Sequence, residues 1–483
     1  MYKQTKLENG LRIITNKLSG TQSATVLVLV GAGSRYEKIA QRGLSHFLEH
    51  MFFKGAKKYT DTKQVSEAID SVGGEFNAFT GKEYAGYYVK VAVENTEIAC
   101  DVLSDMMVHA TFRQEEIDKE RGVILEEYNM YQDTPMYQIG WDFERLVFGD
   151  QPLGWDQIGT KEVIGGVMHD DFANYKKQLY TPENTVIAVV GNIDEEKILE
   201  MVKKYFVLEN AKKAFEFLPV APMEGERISL REKKTEQAHV AVGFSGYAET
   251  HKDHWALKVL SVILGGNMSS RMFLGVREAK GLAYYIHTST DDYMDCGAIV
   301  TNAGVDLTRI DDAVKGIIEE YRKLRDEGVP EEELQKAKSY VKGKMVLSLE
   351  DSEEFAHLLA KYALLHGESK SPEEIAAAVD AVTIDDVMRV AKDLFKADRM
   401  KIAAIGPYDD KERFEKLMGG AWEWVCVEGD VVGRFEKCAW GLVCFGMCKL
   451  LLFCGELSIG DGFFFFSLFI FDSPKLSSRM GIM

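Results

Sequence analysis

Ala188-Val189-Val190-Gly191 and Ala403-Ala404-Ile405-Gly406 stand 215 residues apart, and each closes a short apolar run that follows a helical pattern. Outward from these runs, at the same spacing, Ile187 is matched by Ile402, Leu179 by Leu394 and Asp170-Asp171 by Asp385-Asp386. A chain that repeats itself without gaps over such stretches is built from two copies of one unit. The strand pattern from Ala24 to Val30 corresponds to that from His239 to Phe244, and the helical pattern from Asn95 to Ala110 to that from Leu307 to Leu324. Glu116-Ile117 likewise returns as Glu333-Leu334. Each copy runs through strands, a helix, strands, helices and a final strand, which predicts an α+β fold of two homologous domains.

The first domain is expected over residues 1–210 and the second over 226–419, joined by a linker at 211–225 where Pro219 and Pro222 interrupt the periodicity. Residues 420–483 read differently. Five of the seven cysteines (426, 438, 444, 448, 454) and three of the six tryptophans fall there, and Phe463 to Phe466 stand in a row. The spacing of Cys444 and Cys448 has no matching second pair, which weighs against a metal knuckle. An irregular extension, such as a frameshift leaves, fits this composition better. Lys449, Glu456 and Asp461 keep its apolar runs below the roughly 18 residues of a membrane span.

A formal charge of −18 disfavours a nucleic-acid partner, since a phosphate backbone would be repelled. Residues 1–10 lack the apolar core of a secretory signal and lead directly into a strand pattern, so a cytoplasmic location is expected. Only Cys100 and Cys296 precede residue 420, which leaves the main body without a disulfide framework.

His46-Phe47-Leu48-Glu49-His50 lies in an apolar helical stretch from Gly43 to Phe53. Positions i and i+4 share a helix face, so both imidazoles can reach one ion, with Glu49 beside them. A hydrolytic zinc site needs three protein ligands, a position left for water and a carboxylate to take that water's proton. A lone histidine would more simply be packing, but two with a glutamate between them match the need. The third ligand should come from the helical stretch Gln114 to Gln132, where Glu120 and Glu127 share a face and Glu126 is turned away by about 100°. This geometry does not rank Glu120 against Glu127. In the second copy the two positions are Ala337 and Lys344, and the stretch Ala256 to Leu264 lacks the histidines. The fold therefore does not require these groups, and one Zn2+ per chain is expected.

The His-x-x-Glu-His motif, the 76 residues between His50 and Glu127, and the duplicated halves resemble the pitrilysin/insulinase family of inverted zincin metallopeptidases, in particular its shorter, two-domain processing-peptidase-like branch. The resemblance covers residues 1 to about 415 and implies half of a clamshell peptidase chamber. It implies that His46, His50 and Glu127 bind zinc, that Glu49 is the general base and that Glu120 orients the site. Gly73-Gly74-Glu75-Phe76-Asn77-Ala78-Phe79-Thr80 reads as a hairpin strand, and the resemblance gives Asn77, Ala78 and Phe79 the task of holding an extended peptide by strand pairing. The stretch Arg277 to Tyr284 is similar to a signature whose arginine and tyrosine, seven apart, contact substrate and the oxyanion.

What these features imply is a zinc-dependent endopeptidase acting on extended peptides or unfolded segments. A noncatalytic, peptide-binding or structural subunit is the alternative. Longer relatives carry four such domains, so a homodimer is expected, with Arg277 and Tyr284 reaching the other subunit's zinc. A heterodimer with a metal-free homologue is the other possibility.

Overall fold

The computed structural model of the chain describes residues 2–221, 225–420, 442–445 and 448–451. The chain divides into two compact units, Met1–Trp422 and Glu423–Met483. In the second unit, strands Leu442–Phe445 and Cys448–Leu451 pair antiparallel. The remaining readings of the 420–483 tail, the metal knuckle among them, lie outside the described residues.

The larger unit holds two sheets. The first comprises β1 (Lys3–Lys6), β2 (Arg12–Lys17), β3 (Ser23–Val30), β4 (Glu75–Thr80), β5 (Ala85–Ala92) and β6 (Thr185–Gly191), in the order β1-β2-β6-β3-β5-β4. The second comprises β7 (Ile228–Glu232), β8 (Ala238–Gly246), β9 (Ala283–Asp292), β10 (Gly297–Val305) and β11 (Lys401–Gly406), in the order β7-β11-β8-β10-β9. β2 runs parallel to β6 and β7 parallel to β11, while every other pairing in the two sheets is antiparallel. The orders superpose, so β4 and β9 are equivalent edge strands. Both carry an aromatic ring over a glycine of the neighbouring strand. Phe79 pairs with Gly86 and Tyr285 with Gly304, and a Cβ on either glycine would strike that ring. The missing side chain is filled from across the strand pair.

Each sheet packs one face on helices of its own half. The other face is covered by a helix from the opposite half. Helix Ser352–His366 lays Ala356, Leu359, Ala360 and Ala363 on Ile14, Leu27, Leu29, Val186, Ala188 and Val190 of the first sheet. Helix Pro135–Phe148 lays Ile139, Phe143 and Val147 on Ala241, Ala298, Val300, Ala403 and Ile405 of the second. The volumes complement each other. Alanines predominate on the helix in the first contact (Ala356, Ala360, Ala363) and on the sheet in the second (Ala241, Ala298, Ala403). Gly243 belongs to this fit, since a Cβ there would lie 2.8 Å from the Phe143 ring. Duplication was legible in the sequence, but this exchange of covering helices was not.

The segment between the halves is anchored as well. The Arg35 guanidinium lies 3.8 Å from the centre of the Phe217 ring, and its Nη2 donates to the Leu218 carbonyl at 3.3 Å. Arg35 also pairs with Glu83 at 2.5 Å and with Asp295 of the second half at 2.6 Å. Full burial of this arginine is tolerable because both carboxylates and the ring surround it.

Candidate metal centre

Helix Leu44–Phe52 carries the histidines. Its buried face is Leu44, Phe47, Leu48, Met51 and Phe52, at spacings of three and four, which leaves His46, Glu49 and His50 together on the other face. The helix begins at Gly43, whose φ of 92° no side-chain-bearing residue adopts cheaply. Its first amides are satisfied from a distance. The buried carboxylate of Glu37 accepts from Gly43 N at 2.8 Å and Ser45 N at 2.7 Å, and also takes the Ser45 hydroxyl. Negative charge suits that helix end, although burial pushes the Glu37 carboxyl up to about 7.

Helix Gln114–Asp133 crosses the histidine helix with Ile117, Glu120 and Ile124 buried. Glu127 lies one turn beyond this stripe, and one of its oxygens is 3.6 Å from Nε2 of both His46 and His50. The candidate ligand atoms of the three residues lie within 4.8 Å of one another. Ligand atoms about 2.1 Å from a tetrahedral zinc stand roughly 3.4 Å apart, so the donor set fits the ion in kind and in spacing. Burial, with His50 adding to it, lowers His46 to about 3, which keeps its imidazole neutral and its lone pair available. Burial raises the carboxyl of Glu127 above the usual range, against the pull of His50.

Glu120 stands behind this set. Its Oε1 lies 2.9 Å from Nδ1 of His50. Burial alone would raise its carboxyl, but bonds from His50 and Lys54 hold it below the usual range. Glu126 is exposed, as the helical rotation predicts. The Glu49 carboxyl is raised by burial, while Oε2 accepts a 2.5 Å hydrogen bond from the Thr80 hydroxyl.

The structure thus brings together His46, Glu49, His50, Glu120 and Glu127. Asn77, Ala78 and Phe79 lie on β4, the free edge of the first sheet, next to the histidine helix. Asn77 is exposed and its side chain accepts from the Ala78 amide at 2.9 Å. The Phe79 ring turns the other way, 5.4 Å from the ring of His357, so its side chain packs and its backbone alone lies on the free edge. Arg277 sits at the end of the turn Phe273–Glu278 with its guanidinium 4.5 Å over the Phe273 ring. Tyr284 is on β9 and 75% exposed. Among the described residues no hydrogen bond, ion pair or ring contact joins either to the cluster of His46, His50 and Glu127. Two contacts escaped the sequence reading. Lys54 follows His50 by four residues, a usable signal, whereas the reach of Thr80 to Glu49 depends on how strand docks on helix and left no mark.

Two imidazoles and a carboxylate, beside a further glutamate on a duplicated α+β scaffold, are the residue set of the inverted zincin class. Comparison with known proteins agrees. Residues 12–145 match the family described as insulinase (peptidase family M16), and residues 167–341 match its inactive domain. The chain belongs to this family. It is 37% identical to a protein of Streptomyces coelicolor named an uncharacterized zinc protease, over 85% of this chain and 90% of that one. It is also 37% identical to the Bacillus subtilis protein YmxG, likewise named a zinc protease, over 84% and 98%. A crystal structure of a protease from Helicobacter pylori shares the fold at a TM-score of 0.77 and 24% identity, covering 84% of this chain and 99% of that one. Among the described residues no helix is long and apolar enough to cross a membrane.

Proposed function

We propose that this chain is a zinc-dependent endopeptidase that cuts extended peptides or unfolded segments. The observation that carries the reading is the convergence of His46, His50 and Glu127 beside Glu49. Zinc, when bound, polarises the scissile carbonyl and makes the attacking water more acidic. Glu49 takes that water's proton and passes it to the leaving amine, a role suited to a carboxyl whose affinity for protons burial has raised. Glu120 fixes the His50 ring through Nδ1, so that Nε2 is the nitrogen turned to the ligand set. The free edge of β4 supplies backbone donors and acceptors at Asn77 to Phe79, which grip a strand with little demand on its side chains.

Two chains would supply the four halves of a closed chamber, so the working unit is a homodimer in which Arg277 and Tyr284 of one subunit serve the other's site. The exposure of Tyr284 on an edge strand supports this assignment. A cytoplasmic location is part of the same reading. Metal analysis of the purified protein, together with hydrolysis of a mixed peptide library with and without chelator, tests the function. Peptide binding without chelator-sensitive cleavage would favour a noncatalytic subunit instead.

A further inference from the structure

The strand that offers its edge to a peptide also touches the base. Along β4 the side chains alternate. Phe76 faces the histidine helix, 5.7 Å from the ring of Phe53, and Thr80 reaches Glu49 on that same side, while Phe79 faces His357. Thr80 is the last residue of the strand, paired with Ala85. Its hydroxyl is the one hydrogen-bond donor to Glu49 among the described residues, at 2.5 Å from Oε2. A half-buried carboxylate with a single donor is fixed by that donor, which leaves Oε1 as the oxygen without a partner of its own.

We propose that Thr80 is a positioning residue for the reaction: its hydroxyl pins Oε2 of Glu49, so the strand that grips the substrate also aims the base. The assignment rests on the peptidase reading. It separates two roles within one strand, with Asn77 to Phe79 binding and Thr80 acting through Glu49.

The test uses the full-length, zinc-loaded chain and its best-cleaved library peptide. Thr80→Val keeps the branched shape without the donor and should lower kcat about 10- to 100-fold, the usual cost of losing an outer partner, with KM and zinc content unchanged. Thr80→Ser keeps the donor and should recover most of the rate. In a Glu49→Gln background, calorimetry should find the same affinity for the uncleaved peptide with and without Thr80→Val. A normal kcat in Thr80→Val, no recovery in Thr80→Ser, or weakened peptide binding in the Glu49→Gln background would each overturn the assignment. Should Thr80→Val melt early, Thr80→Ala takes its place, and a normal kcat there has the same force. A parent chain with no chelator-sensitive hydrolysis overturns the peptidase reading itself, whereas an active parent indifferent to Thr80→Val overturns this proposal alone.

Discussion

Nδ1 of His50 lies 2.9 Å from Oε1 of Glu120, whose second oxygen takes the ammonium of Lys54 at 2.5 Å. One carboxylate therefore orients the His50 ring and is itself held by a cation from the turn that follows the histidine helix. Glu120→Gln should weaken zinc binding about 10- to 100-fold. Glu127→Gln should weaken it more, and the exposed Glu126→Gln should not weaken it at all. Competition with a chromophoric chelator ranks the three, and a larger loss for Glu126→Gln than for Glu120→Gln would refute the arrangement.

Removal of either imidazole should strip the metal. His46→Ala and His50→Ala each leave two protein ligands where a zinc site needs three. Equilibrium dialysis should find neither variant loaded at a zinc concentration that saturates the parent, and full loading of either one would sink the ligand set.

The Glu37 carboxyl gives the fold a pH dependence of known sign. Its folded value is about 7, above the ordinary 4.5, because burial penalises its charged form. Its contribution to stability is therefore complete below about pH 4.5, falls as the pH rises toward 7 and is constant above. The span is on the order of 3 kcal/mol. Glu37→Gln stays neutral throughout, so the variant should gain on the parent in thermal melts as the pH is raised across that window. A parent that instead gains on the variant contradicts the sign.

Assembly is open to complementation. Glu49→Gln and Tyr284→Phe chains should each be weak alone. Mixed under conditions that exchange subunits, up to about half of the dimers would pair one with the other and restore one site. If subunits exchange and no activity returns, Tyr284 does not act across a dimer.

Phe143→Ala and Leu359→Ala each hollow one of the exchanged contacts, and should cost about 3 to 5 kcal/mol and 2 to 5 kcal/mol respectively. Each side chain is fully buried against the sheet of the opposite half. Hydrogen exchange should therefore report loosening in both sheets for either variant, and protection lost from one sheet only would show that the halves unfold separately.

Much of this was legible in the sequence because it depends on local period. The shared face of His46, Glu49 and His50 follows from spacings of three and four, and the two-copy plan follows from matching strands such as those ending at Gly191 and Gly406. Glu126 was separable from its neighbours by rotation alone. Contacts between elements were not legible. Glu37 caps a helix from seven residues before its start, Thr80 meets Glu49 only once a strand has docked, and helix Ser352–His366 shows an apolar face without saying which sheet it will cover. Phe79 shows the same limit, since its strand was foreseeable and its packing on His357 was not.

The exchange of covering helices makes the boundary between the halves one of ancestry and not of separability. A protease nick in the segment between β6 and β7 would cut the chain without releasing either piece, because parting them bares an apolar sheet face on each side. Fragments 1–210 and 226–420, made together, should assemble as a noncovalent pair. Made singly, each would carry a helix with no sheet to cover and a sheet with no helix above it, and would precipitate.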